Sequence, residues 1–223
     1  MGKLSMKFRQ LKSQLLECLT DDNWRDPMKT FLNLPPAQLI NPLISLLYHA
    51  NPVIKWRAVT MIGLSFANFS PNDRESARII IRRFMWYLNE ESGGIGWGIP
   101  EAFGEVMARY RWIAEEYASI LVHYIVPGIS FLNIEAIQTG VIWGIGRGAQ
   151  GNRELFQFSE TYLHPFLSAN TPEQRGNALW ALQQLQCKPP SHFEAILQLD
   201  TALFSLYDHC VLKQMPIAEL ASQ

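Results

Sequence analysis

Apolar residues recur along the chain at helical spacing. Leu4, Phe8, Leu11, Leu15 and Leu19 fall three or four apart, which predicts an amphipathic helix over 4–19. Asp21, Asp22 and Asn23 are cap-like, and a short helix over 24–32 follows before Leu34-Pro-Pro36 breaks it. Residues 37–49 are apolar at the same spacing, with Pro42 either kinking that helix or marking its start after Asn41. Asn51-Pro52 caps and opens a helix with a wide apolar surface through Val53, Trp56, Val59 and Phe66. A long helix follows Ser70-Pro71 and runs to about Glu90. Further helices are expected after Pro100, from Trp112 to Pro127-Gly128, from Asn133 to about Gly148, over 154–168 following Gly151 or Asn152, after Thr171-Pro172 and after Pro189-Pro190. The tail, 201–223, breaks the pattern and reads as a small hairpin with a helical turn after Pro216.

The second helices of successive pairs repeat. Trp56 overlies Trp97 at a distance of 41 residues, and Gly63 then falls on Gly104. A further 40 residues bring Gly104 onto Gly144, and 39 more bring Trp143 onto Leu182. Glycine inside a helix costs roughly 1 kcal/mol against alanine. Close approach of a paired helix at that point offsets the cost. A period near 40 with two helices per unit is a HEAT-repeat spacing, in which neighbours stack because no single unit buries both its faces.

On Trp56-Arg57-Ala58 through Ile62-Gly63, with weaker echoes at 97–104, 138–144 and 175–182, the chain resembles HEAT-like repeat proteins, including those called PBS lyase HEAT-like. The stretch MWYLNEESGGIGWGIPEAFGE is similar to a signature of an uncharacterised bacterial HEAT-like family. The resemblance implies an all-α, right-handed HEAT-like helical-repeat solenoid with a small C-terminal hairpin. On that reading, 1–33 are N-terminal capping helices, 34–200 the repeats and 201–223 a capping segment. It carries no activity over residue by residue. HEAT-like families hold proteins or, less often, nucleic acid, and a few are enzymes, among them alkylpurine DNA glycosylases.

Composition narrows the chemistry. Nineteen basic residues face twenty acidic ones, unlike a polybasic nucleic-acid binder, although a local basic groove stays compatible. Cys18, Cys187 and Cys210 form no CxxC pair and read as reduced thiols of a cytoplasmic protein. The N-terminus lacks the apolar core of a signal peptide, and no apolar run reaches eighteen residues, so no membrane association is expected. No two of the five histidines lie four apart, and neither a metal nor another cofactor is expected. Gly-x-Ser-x-Gly is absent.

The segment NEESGGIGWGIPEAFGE, residues 89–105, holds five glycines, four of them between two helices. It lacks the Gly-Lys-Ser/Thr of a phosphate-binding loop and reads as a rigid, inward-facing joint. Positive φ is expected at Gly94 or Gly96, and Trp97 is expected to pack on the neighbouring unit. Glu90, Glu101 and Glu105 are candidates for acid–base work in a glutamate-lined pocket, and equally for a solvated face. Trp56, Trp86, Trp143 and Trp180 are expected in the core or half-buried. Lys55, Arg57, Arg82, Arg83, Arg147 and Arg175 recur near helix ends. They read as a ladder of ion pairs, Arg57 with Glu101 for instance, or as a groove for phosphate.

Together these features predict a protein-binding scaffold rather than an enzyme, its concave face using Trp56, Arg57, Arg82, Arg83, Trp86, Glu90, Trp97, Glu101 and Arg147. The rivals are a DNA-binding or glycosylase-like protein and a small-molecule enzyme.

Overall fold

The computed structural model of the protein describes residues 2–69, 74–89 and 96–223, with side chains from Phe8 onward. Twelve α-helices and a two-stranded sheet lie among the described residues, and successive helices pack on one another in a repeat-like manner. The contacts divide the chain into two compact units, Met1–Ala102 and Phe103–Gln223.

The first unit contains α1 (Gly2–Thr20), α2 (Arg25–Phe31), α3 (Pro36–Leu46), α4 (Pro52–Ser65), α5 (Arg74–Asn89) and the opening residues of α6 (Ile99–Arg109). Leu15 and Leu19, from the predicted stripe, are fully buried, and α1 packs on α3 and α4. At the start of α4 the Asn51 side chain accepts from the Val53 N–H at 2.9 Å, and Pro52 holds the first helical position. Pro42 neither starts α3 nor ends it: the helix opens at Pro36 and runs through, with Pro42 buried inside.

The second unit contains the rest of α6, α7 (Arg111–His123), α8 (Glu135–Asn152), α9 (Glu160–Leu163), α10 (Pro172–Leu185), α11 (Ser191–Gln198), strands β1 (Leu203–Asp208) and β2 (Val211–Pro216), and α12 (Ile217–Ala221). Its centre is α8, which packs on both α7 and α10. The repeat overlay that set Gly104 on Gly144 has a physical basis. A Cβ built on Gly104 would lie 2.3 Å from the Gly144 Cα, so α6 and α8 touch backbone to backbone. Gly151 meets Ala108 of α6 just as closely, its Cβ 1.9 Å from the Ala108 carbonyl oxygen. This contact explains why α8 runs to Asn152, beyond its predicted end near Gly148. The later glycines do not break the helix; they admit its neighbours.

The single helix predicted over 154–168 is instead a chain of 3₁₀ turns around the short α9. Pro165 has no N–H to donate to an earlier carbonyl, and the turn that holds it, His164–Ser168, is 3₁₀. Phe156 folds back onto α8, where a Cβ on Gly148 would come 2.3 Å from its ring.

The hairpin forms as expected, antiparallel, with Asp208 opposite Val211 across a two-residue turn. Both turn residues have positive φ, His209 at 46° and Cys210 at 61°, as tight hairpin turns of the right twist require. Phe204, Leu206 and Tyr207 bury their side chains, and β1 packs on α10. Gly176 of α10 makes room for the Phe204 ring.

Candidate partner-binding surface

Helix α5 carries the exposed part of the candidate surface. Ala77, Ile80, Ile81, Phe84 and Leu88 form its buried stripe. Ile79, Arg82 and Trp86, three and four residues apart, line the opposite side and are exposed. Trp86 is 57% exposed, which corrects the expectation that packing places it in the core. Its ring stands edge-on to Tyr87 at 5.3 Å between centroids. Arg82 pairs with Glu75 and draws that carboxyl below its usual range. Arg83 is half-buried; it donates to the Asn41 side chain and lies 5.7 Å from the Tyr87 ring. Tyr48 is exposed on the same unit, its phenol pushed up by burial of part of the ring and then by Tyr87.

Residues 96–98 join this surface. Gly98 has φ +76°, and a Cβ there would lie 2.9 Å from the Leu47 Cβ and 3.3 Å from the Lys55 Cε. Both the backbone conformation and the close approach require glycine. The Ile99 N–H donates to the Gly96 carbonyl at 3.0 Å, closing the turn that precedes α6. Positive φ thus falls on Gly98 and not on Gly96; Gly94 lies outside the described residues. Trp97 is 37% exposed, so it contributes open surface rather than the core contact expected from its overlay on Trp56.

Beneath, Glu101 of α6 is 4% exposed and accepts from Lys55 Nζ at 2.5 Å. Its other oxygen, Oε2, is buried and has no hydrogen-bond partner among the described residues. Lys55 also lies 5.0 Å from the ring of Trp56, which is half-buried. The expected Arg57–Glu101 pair is therefore replaced by Lys55–Glu101. Arg57 turns the other way: it donates at 2.8 Å to the carbonyls of Leu19 and Asp21, at the C-terminal end of α1 where a cation is favoured, and sits against the Trp24 ring. Glu90 lies outside the described residues.

Arg147 belongs to the second unit. Glu105, 3% exposed, accepts from Arg147 Nε at 2.5 Å and from Arg109 Nε at 2.7 Å. Arg147 also donates to Gln150, which in turn donates to Asp208 of the hairpin. Arg175 pairs with Asp200 at 2.8 Å and donates to the carbonyls of Ala169 and Asn170. These cations have acceptors within their own unit, and each acid is nearly buried, unlike a solvated ladder. The residues sequence reasoning passed over are Tyr48, Ile79 and Tyr87. Ile79 was within reach, because it stands opposite the Ala77–Phe84 stripe. Tyr48 and Tyr87 come within electrostatic reach of one another only in the folded unit, where Arg83 of α5 also donates to Asn41 of α3.

Among the described residues no cluster of three or more metal-ligating side chains occurs, and no helix is long and apolar enough to cross a membrane. Cys18, Cys187 and Cys210 are unpaired among the described residues.

No known family profile matches the chain. An uncharacterized protein of Archaeoglobus fulgidus is 26% identical over 118 residues, covering 51% of this chain and 56% of that protein. The chain thus matches little more than half the length of that relative. In three dimensions the chain is similar to the crystal structure of an engineered protein, with a TM-score of 0.50, 12% identity, and 96% and 94% of the two chains covered. That likeness concerns the fold alone.

Proposed function

We propose that the protein is a HEAT-like, right-handed helical-repeat scaffold that binds a protein partner in its concavity through the aromatic–arginine surface of the first unit. The observation that carries this reading is the exposure of Trp86 and Trp97 on a unit that also presents Arg82, Arg83 and Tyr48. Tryptophan, tyrosine and arginine dominate binding energy at protein interfaces. Isolated exposed apolar residues are ordinary, but large aromatics gathered beside arginines are the composition of an interface centre.

The commitment of Arg57, Arg147 and Arg175 to acceptors inside their own units favours a protein over a duplex, because it leaves fewer cations for phosphates. It equally disfavours the reading of Glu105 as a free general base, since two guanidinium groups hold it.

The test is affinity capture from the native cell with the intact protein and with Trp86→Ala and Trp97→Ala. A partner retained by the wild type and lost by both variants is the expected result. Identical captures from all three would overturn the surface. Titration with duplex DNA across salt separates the rival, which requires an affinity that falls steeply as salt rises.

A further inference from the structure

A cleft of about 430 Å³ opens in the second unit, between the segment that joins α7 to α8 and the turns around α9. Its volume falls in the range of small-molecule sites. Phe131, Tyr162 and Phe166 bring three aromatic rings to it, and Pro127 and Pro165 add rigid apolar wall. Phe131 and Tyr162 are exposed, so two of these rings are held open to solvent rather than folded into the core.

The polar groups of the cleft divide into two kinds. Gln138 and Gln174 are buried and bound to one another: Gln174 Nε2 donates to Gln138 Oε1 at 2.8 Å, and Gln138 Nε2 donates to the Leu132 carbonyl at 2.8 Å. They form a fixed floor whose main hydrogen-bonding capacity is already used. Glu135 is different. Among the described residues it is the only charged one lining the cleft; it is exposed, and its carboxylate makes no ion pair with a described residue.

We propose that this cleft binds a small organic cation, an ammonium group carried on a compact apolar body. Aromatic faces attract cations and repel anions, and a carboxylate outside any ion pair, with no lysine or arginine among the described residues that line the cleft, does the same. An anion meets repulsion from both. A neutral apolar molecule gains the walls and leaves the carboxylate unused. A cation with an apolar body engages both, with its charge directed toward Glu135 and its body between the rings. This site is separate in sequence and chemistry from the surface proposed above, and it stands or falls independently of it.

The experiment is an NMR titration of the full chain with phenethylamine, which is cationic at neutral pH, beside its neutral analogue phenethyl alcohol and its anionic analogue phenylacetate. The expected result is saturable shifts confined to residues 125–138 and 161–174, with phenethylamine binding about tenfold or more tighter than phenylacetate. Glu135→Gln, an exposed change, removes most of that preference while phenethyl alcohol binding is unchanged. Phe131→Ala weakens all three ligands, and Glu173→Gln, on exposed surface outside the cleft, changes none. Equal binding of the cation and the anion, an unchanged preference in Glu135→Gln, or shifts scattered over the whole protein would each overturn the proposal.

Discussion

Trp86 and Trp143 both sit in well-formed helices, yet one is 57% exposed and the other 2%. Trp143 stacks on Trp180 at 6.0 Å, with 14° between the rings, and its indole N–H donates to the Tyr207 carbonyl at 2.8 Å. Every part of that side chain is used inside the second unit. Trp86 meets an edge of Tyr87 and leaves more than half of its surface exposed. Arginines divide in the same way: Arg147 grips a buried glutamate, whereas Arg82 reaches an exposed one. Trp143 and Arg147 are thus held inside the second unit, whereas Trp86 and Arg82 lie on the surface of the first. Residue type alone therefore says little about role here. The packed neighbour decides.

Substitution of the two tryptophans should separate most sharply. Trp143→Ala removes a fully buried aromatic ring and leaves the Tyr207 carbonyl without its donor, so a loss of about 3–5 kcal/mol is expected in urea unfolding. Trp86→Ala should leave the same transition within about 0.5 kcal/mol, as exposed changes do. Comparable losses at both positions would make Trp86 a structural residue and remove the main support for the surface.

The glycine contact is the next largest. Gly104→Ala gains roughly 1 kcal/mol of helix propensity but sets a methyl 2.3 Å from the Gly144 backbone, where no flexible side chain can yield. Overpacking of this kind costs about 1–3 kcal/mol, occasionally more, so a net loss of stability is expected. A net gain would mean that α6 and α8 separate easily and that the glycine pair does not fix their approach.

These two sites mark what the sequence made legible and what it did not. The pairing of Gly104 with Gly144 was visible as a repeat at 40 residues, because a helix interior tolerates glycine only for a packing reason. Helix starts at Pro52 and Pro172 were legible because proline is favoured in the first turn. The hairpin was legible from its apolar runs around Asp208-His209. Exposure of Trp86 was not, since periodicity identifies a buried stripe but gives a large aromatic on the other side no reason to stay there. Nor was the partner of Glu101. Lys55 and Arg57 are two residues apart on one helix, and only the placement of α1 decides which of them turns toward Glu101. The break-up of 154–168 was hidden because its apolar residues keep helical spacing while Pro165 and the fold-back of Phe156 override it.

A smaller effect concerns acid. Burial pushes the Asp200 carboxyl up, but the hydrogen bonds from Arg175 and the Ala202 N–H outweigh it and hold the group below its ordinary value. A carboxylate lowered in the folded state contributes stability above its unfolded pKa, near 3.9, and loses it as pH falls through the lower folded value. Asp200→Asn should therefore cost about 1–2 kcal/mol at neutral pH. That difference should shrink toward zero as the pH falls below 3.9. A difference that stayed constant through that range would assign the loss to packing rather than to charge.

The smallest expected change is a gain, at the hairpin tip. Cys210 holds φ at 61° in a conformation that costs a non-glycine residue about 1 kcal/mol or more. The position suits glycine in a two-residue hairpin turn of this twist. Cys210→Gly relieves the strain but enlarges the conformational freedom of the unfolded chain, which returns roughly 0.5–1 kcal/mol. The balance predicts stabilisation of about 0.5 kcal/mol, read as a small rise in the urea midpoint with an unchanged slope. Because Cys210 is bound to no other cysteine, no cross-link is lost. A fall in the midpoint would mean that the Cys210 side chain makes a contact worth more than its backbone strain. The tip would then belong with the tightly used side chains of the second unit, beside Trp143, rather than with the open surface of the first.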